Sequence, residues 1–136
     1  MAVEYRENKD LPCEGLYRLF LAVGWTKEEE TTQSMREHFN IGFLHSTFVF
    51  SAWVEEELVG CVRVLSDRHF RSVIYDLAVL PEYQKQGIGS ELIRRCFAAC
   101  EGSEWLVQTD AAKGFYEKLG FRVNTDHFLT KQGKWF

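Results

Sequence analysis

Residues 76–90, DLAVLPEYQKQGIGS, decide how this chain is expected to fold. The apolar run before Pro81 predicts a buried strand, and Pro81 excludes regular strand pairing at its own position. Gly87 and Gly89 follow in a polar loop, where the missing side chains let another group approach the backbone. A helix is predicted to begin directly after this loop. The N–H groups of its first turn lack internal partners, so they make an anion site suited to a phosphate or diphosphate.

Two polar residues add to this predicted anion site, because Lys85 brings a positive charge and Ser90 a hydroxyl donor. Two well-known phosphate signatures are missing. No GxxxxGK[ST] string occurs, and Gly87-Ile88-Gly89 is followed by Ser-Glu-Leu, so the third small residue of GxGxxG/A is lacking. The loop therefore disfavours a nucleotide-binding module, which stays the third possible reading.

The periodicity of apolar residues on both sides of the loop predicts a mixed α+β domain. The short connection before residues 73–79 implies antiparallel pairing, and the strand–loop–helix–strand order over 73–108 implies a crossover with parallel strands. The predicted strands are 3–6, 47–54, 58–65, 73–79 and 105–108, with closing strands at 121–123 and 127–130. The predicted helices are 12–23, 26–38 from a capping box of Thr26 and Glu29, 88–101 and 113–119.

Composition narrows the class of protein. The 136 residues are 46% hydrophobic and 15% aromatic, which suits one domain over 1–136 with a substantial core. A net charge of −4 argues against general nucleic-acid binding. No apolar run approaches the ~20 residues that a membrane helix needs, and the first ten residues are too charged for a secretory signal. The four cysteines have neither CxxC nor metal spacing, so we expect reduced thiols in a cytoplasmic protein without a metal site.

Two stretches carry a family resemblance. The spacing V-x-P-x-Y followed by Q-x-x-G-x-G over residues 79–89 resembles the acetyl-coenzyme A site of the GCN5-related N-acetyltransferase (GNAT) family. Residues 114–121, GFYEKLGF, resemble a second segment of that family, in the family's order along the chain. The resemblance covers nearly the whole chain and is loose only over 25–45.

The resemblance implies a fold and a cosubstrate. The fold is a mixed, mostly antiparallel sheet flanked by helices, with a β-α-β crossover that carries the cofactor loop. The cosubstrate is acetyl-coenzyme A, with its pantetheine arm along the strand before the loop and its diphosphate on the loop's backbone N–H groups. The cofactor-binding residues so implied are Leu77, Ala78, Val79, Gln84, Lys85, Gln86, Gly87, Ile88, Gly89 and Ser90.

Catalytic roles follow from the same resemblance. Tyr116 matches the family tyrosine that protonates the departing thiolate, the alternative being a tyrosine that only packs the last helix. The Val79 N–H is expected near the acetyl carbonyl. Strand alternation places Tyr75 on the face of Leu77 and Asp76 on the opposite face, so Tyr75 is the better placed base. Asp76, Asp110 and a chain of waters stay open as alternatives.

The predicted function is transfer of an acetyl group to a primary amine of a small molecule or peptide. Direct attack is expected, because none of the cysteines has a local histidine partner for an acyl-cysteine route. The alternative is a non-catalytic acyl-coenzyme A sensor. Three polar or aromatic residues, Arg63, Asp67 and Trp25, lie on segments that could face a substrate, although an ordinary outward-facing arginine is as good a reading of Arg63. A homodimer is possible.

Overall fold

Five strands form one sheet in the order β1-β2-β3-β4-β5 in the computed structural model, which describes residues 2–126 and 128–135. Strands β1 to β4 pair antiparallel, and β5 pairs parallel to β4. The predicted mixed, mostly antiparallel sheet is confirmed. Its strands are β1 (Glu4–Glu7), β2 (Phe48–Val54), β3 (Glu57–Ser66), β4 (Arg71–Val79) and β5 (Glu104–Val107).

The described residues also form five α-helices and two single 3-10 turns, which lie between the strands except for the last helix, after β5. The helices are α1 (Cys13–Ala22), α2 (Gln33–Glu37), α3 (Ile41–Leu44), α4 (Ile88–Ala99) and α5 (Lys113–Lys118), and the 3-10 turns are Glu28–Glu30 and Pro81–Tyr83. The crossover from β4 through α4 to β5 has the predicted order. Among the described residues, no helix combines the length and apolar character needed to cross a bilayer.

Helices cover both faces of the sheet. A Cβ placed on Gly60 of β3 would lie 3.4 Å from Ile88 and 3.5 Å from Leu92, so α4 packs closely on this face. A Cβ placed on Gly15 of α1 would lie 3.6 Å from Leu58 at the start of β3, on the other face. The core therefore sits in two layers, one on each side of β2, β3 and β4.

The single helix predicted over 26–38 is wrong. Thr31 and Thr32 are extended, so the chain leaves the Glu28–Glu30 turn before α2 begins. The Thr32 hydroxyl accepts a hydrogen bond from the Met35 N–H at 3.2 Å and caps α2. Two adjacent β-branched residues thus interrupt the helix, and the cap lies six residues later than the capping box predicted at Thr26.

The closing strands predicted at 121–123 and 127–130 are also wrong. None of their described residues lies in a strand, and His127 lies outside the described residues. Gly120 takes a φ of +97°, and the Phe121 N–H donates to the Tyr116 carbonyl at 3.1 Å, which ends α5 in a glycine cap. Phe121 then packs against Phe97 with ring centroids 6.0 Å apart. The chain therefore turns onto the core at Phe121 instead of extending the sheet beside β5.

Candidate functional site

Strand β4 carries a bulge next to the predicted site. Arg63 pairs with Tyr75 and Cys61 pairs with Ala78, so β4 has one residue more than β3 over this interval. Asp76 lies within the bulge and has a φ of +53°, in the left-handed region that side chains rarely adopt. A bulge bends its strand and re-aims the side chains that follow it.

The bulge corrects the expected positions of two candidate bases. The Arg63 Cζ lies 5.2 Å from the centroid of the Tyr75 ring, and the Arg63 Nε donates to Asp76 Oδ2 at 2.5 Å. Tyr75 and Asp76 therefore face the same side chain, and the expectation that they lie on opposite faces is wrong. The extra residue also breaks the alternation that placed Tyr75 on the face of Leu77, because Tyr75 now shares its face with Ala78.

The end of β4 has a free edge. Strand β5 pairs with β4 only from Arg71 to Ile74, so residues 75–79 have no strand partner on that side among the described residues. On the other side, β3 continues to pair with β4 as far as Val79. Leu77 and Val79 are therefore partly exposed where the sheet opens next to the loop, whereas Ala78 between them is buried.

The loop after β4 is held in shape by its own residues. The Gln84 side-chain amide donates to the Val79 carbonyl at 2.9 Å, which ties the loop to the strand end. Lys85 and Gly87 have φ values of +65° and +88°. Gly87 is the N-terminal cap residue of α4, so the chain turns sharply into the helix as the sequence predicts.

The backbone of this loop presents a run of free donors. The Glu91 N–H bonds to the Gly87 carbonyl at 3.0 Å and is the first to enter the helical pattern. The N–H groups of Lys85 to Ser90 make no hydrogen bond to any described residue. These donors surround the positive end of the α4 dipole and fit a diphosphate.

The two glycines of the loop have different structural roles. Gly87 has a positive φ and open space around it, so its backbone conformation requires glycine. A Cβ on Gly89 would lie 3.4 Å from Cζ of Phe115 in α5, so α5 packs beside the first turn of α4 at this glycine. The sequence argument did not identify Phe115 as part of the site, although it lies inside the GFYEKLGF segment.

A carboxylate sits in the first turn of α4. Hydrogen bonds from Arg94, and next from Arg95, lower the pKa of Glu91 to about 2. Their distances are 2.5 Å from Arg94 Nη2 and 2.8 Å from Arg95 Nε, both to Glu91 Oε2. The two guanidinium groups therefore offset a negative charge that would otherwise oppose an anion at this helix end.

Tyr116 is buried in α5, with only 5% of its surface exposed. Its ring meets those of Phe115 and Phe121 edge-on, at centroid distances of 5.1 and 5.3 Å. Burial raises the pKa of its hydroxyl to about 12, and the Cys96 thiol adds to the shift. The hydroxyl makes no hydrogen bond to another described residue. It is thus a protonated donor at neutral pH with its proton uncommitted.

Other candidate residues have different surroundings. Asp67 Oδ1 accepts from the N–H groups of His69, Phe70 and Arg71 at 2.7–3.1 Å, so its side chain shapes the β3–β4 turn. Asp110 is exposed in the turn before α5. Trp25 is half exposed after α1.

Two cysteines are sealed in the core. Cys61 and Cys96 have no exposed surface, and burial raises the pKa of both thiols far above neutral pH. Cys100 is also buried, and the half-buried Cys13 thiol donates to the Glu37 carbonyl at 3.5 Å. The two sealed thiols stay protonated and are unsuited to nucleophilic attack.

Comparison with known proteins relates the whole arrangement to one family. A family model described as an acetyltransferase (GNAT) domain matches residues 45–123, more than half of the chain. A solved GNAT-family acetyltransferase from Streptococcus pneumoniae TIGR4 superposes with a TM-score of 0.78 at 25% identity, over 97% of this chain and 100% of that one.

Two curated relatives agree with this match. The chain is 27% identical over 122 residues to GCN5-related N-acetyltransferase 2, chloroplastic, of Arabidopsis thaliana, which covers 76% of this chain and 47% of that protein. It is 28% identical over 127 residues to the uncharacterized N-acetyltransferase ycf52 of Pyropia yezoensis, covering 88% and 70%. The chain thus spans about half the length of the Arabidopsis relative. On these matches, and on the loop, sheet and helix geometry described above, the chain belongs to the GNAT family of acetyltransferases.

Proposed function

We propose that residues 1–136 form one N-acetyltransferase domain, which moves an acetyl group from acetyl-coenzyme A to a primary amine of a small molecule or peptide. The observation that carries this proposal is the run of free N–H donors from Lys85 to Ser90 at the start of α4. The family membership supplies the chemistry that such a loop serves.

The residues of the loop and the strand end fit this cosubstrate, which supplies an acetyl group activated as a thioester. The N–H groups of Gln86, Gly87 and Gly89 bind the diphosphate, together with the Lys85 charge and the Ser90 hydroxyl. The Gln84 N–H, which the resemblance also implied, instead donates to the Pro81 carbonyl at 3.2 Å. Ile88 contributes its backbone to the same turn. The open edge of β4 at Leu77, Ala78 and Val79 binds the pantetheine arm, because its backbone groups are left without a strand partner there.

Two donors assist the reaction. The Val79 N–H donates to the acetyl carbonyl oxygen, where negative charge develops during attack. The Tyr116 hydroxyl gives its proton to the departing sulfur. The raised pKa keeps this hydroxyl protonated at neutral pH, so it can donate a hydrogen bond to the developing thiolate and supply its proton as the carbon–sulfur bond breaks.

The amine attacks the thioester directly. The protonated, inaccessible thiols of Cys61 and Cys96 support this route over one through an acyl-cysteine. Tyr75, half exposed beside Arg63, is the proposed base that takes the proton from the attacking amine, and Asp76, Asp110 and a chain of waters stay the alternatives. A cytoplasmic location and a homodimer stay predictions.

A thiol-release assay tests the proposal. The purified protein is incubated with acetyl-coenzyme A and a panel of primary amines, and free coenzyme A is measured. We expect release that depends on the amine and on its concentration. Tight binding of acetyl-coenzyme A with no amine-dependent release would support the acyl-coenzyme A sensor and contradict the enzyme. Tight binding of ATP or NAD would revive the nucleotide-binding reading.

A further inference from the structure

Arg63 occupies an unusual position in the middle of β3. Its side chain is only 21% exposed, although the strand is otherwise apolar on both sides of it. The guanidinium carbon lies 5.2 Å from the Tyr75 ring centroid and 5.7 Å from that of Phe43 in α3. Its Nε donates to Asp76 Oδ2 at the bulge. The guanidinium thus links α3 to the bulge of β4.

Helix α3 packs directly against this group. A Cβ placed on Gly42 would lie 3.4 Å from both Cζ and Nη1 of Arg63. The Ser46 hydroxyl, which donates to the Gly42 carbonyl at 2.7 Å, accepts from Arg63 Nη1 at 3.4 Å. Gly42 and Ser46 therefore form a cradle that fits a flat guanidinium.

The cradle leaves part of the guanidinium unused. Of the five N–H groups of an arginine, one goes to Asp76 and one to Ser46, and the Nη2 pair bonds to no described residue. These Nη2 donors are not buried, so they are reached from the solvent and are free to bind an oxygen acceptor from outside the chain.

We propose that Arg63 binds the acetyl acceptor, and that this acceptor is an amine that also carries a carboxylate or carbonyl oxygen. The reaction itself rests on the proposed function above. Strand β4 sets the distance between the two ends of the acceptor. Asp76, which anchors Arg63, lies three residues before Val79, and three residues of strand span ~10 Å. The amine points to the strand end, and the oxygen is bound at the bulge.

The chemistry of the guanidinium suits both forms of oxygen. The fork of an arginine matches a carboxylate with two parallel hydrogen bonds. Asp76 already balances the Arg63 charge, so a neutral carbonyl oxygen also fits. The Tyr75 and Phe43 rings hold the guanidinium flat, which reduces the freedom lost when a ligand binds.

NMR of protein labelled with nitrogen-15 at arginine tests this proposal without turnover. The Arg63 Nε–Hε signal is assigned by its loss in Arg63→Lys. Amino acids of increasing length, from glycine to 6-aminohexanoate, are then titrated, each beside its amide and the matching alkylamine. We expect a saturable shift with at least one carboxylate or amide and none with its alkylamine. No shift in the whole series, or equal shifts with the alkylamines, would overturn the proposal.

Gly42→Leu gives a finer variant that keeps Arg63. A Cβ on Gly42 already touches the guanidinium at 3.4 Å, so a longer side chain displaces it, and we expect a severalfold weaker response to the same probe. Gly114→Leu is its matched control, since a Cβ there meets nothing within 4 Å. Equal affinities in both variants would count against the cradle. Binding of coenzyme A to the loop is followed separately through the Gly87 amide, so failure of the cofactor proposal is recognised independently of Arg63.

Discussion

The side-chain amide of Gln84 donates a hydrogen bond of 2.9 Å to the carbonyl oxygen of Val79. Because Val79 ends β4 and Gln84 follows the Pro81–Tyr83 turn, this bond fixes the distance between the open strand edge and the free N–H groups of the loop. In our proposal, the pantetheine arm lies at the first of these places and the diphosphate at the second.

Gln84→Ala removes this link without adding charge. We expect the dissociation constant for acetyl-coenzyme A to rise about tenfold, which corresponds to about 1.4 kcal/mol. Isothermal titration calorimetry measures the change. Gln33→Ala, on the exposed surface of α2, serves as the control. Unchanged affinity in Gln84→Ala would show that the loop is set by its backbone alone.

Gly87→Ala places a side chain at a φ of +88°, which costs about 1–2 kcal/mol of folding free energy. Gly24 offers a matched control, because it has a φ of +82°, open space around it and a place at the end of α1. We expect similar losses of stability in denaturant for both alanine variants, but weaker acetyl-coenzyme A binding only for Gly87→Ala. Equal binding by the two variants would argue against a ligand at Gly87.

Tyr116→Phe removes the proposed proton donor and keeps the ring. We expect kcat to fall at least about tenfold while the dissociation constant for acetyl-coenzyme A stays the same. Tyr5→Phe on β1 is the control. Steady-state kinetics and calorimetry together check this, and an unaltered kcat would assign Tyr116 to packing only.

The same substitution tests the raised pKa of Tyr116. Its folded pKa of about 12 exceeds the unfolded value of 10.0, so the protonated phenol stabilises the fold fully below pH 10, and this stabilisation is lost as the pH rises to 12. Between pH 8 and pH 11, the wild type should lose about 1 kcal/mol more unfolding free energy than Tyr116→Phe. Denaturant titrations at both pH values measure this, and equal losses would contradict the raised pKa.

Two leucines test where the core ends. Leu92 in α4 has no exposed surface, whereas Leu129 is 95% exposed beyond α5. Leu92→Ala should lower the unfolding free energy by about 2–5 kcal/mol. Leu129→Ala should change it by less than about 0.5 kcal/mol. A large loss in Leu129→Ala would mean that the last segment packs on the domain.

The sequence predicts the five-stranded sheet well, because strands such as 47–54 are rich in aromatic and β-branched residues and the glycine loop marks where α4 begins. It fails where local signals compete. Thr31 and Thr32 are extended and interrupt the helix predicted over 26–38. The Gly120 cap turns Phe121 away from the sheet.

The sequence likewise predicts some features of the candidate site and not others. The loop donors follow from the order of glycines and helix start, which the sequence shows directly. The bulge at Asp76 does not, because no glycine marks its positive φ and strand periodicity assumes regular pairing. The pairing of Arg63 with Asp76, and the contact of Phe115 with Gly89, depend on residues distant in the chain.

Amide NMR with acetyl-coenzyme A reports on whether the loop N–H groups bind the diphosphate. Protein labelled uniformly with nitrogen-15 is titrated, and the backbone signals of Gly87, Gly89 and Ser90 are followed. We expect them to show saturable shifts, larger than those of Gly24 or Gly114. Binding of acetyl-coenzyme A that leaves these three signals in place, or no binding at all, would contradict the account.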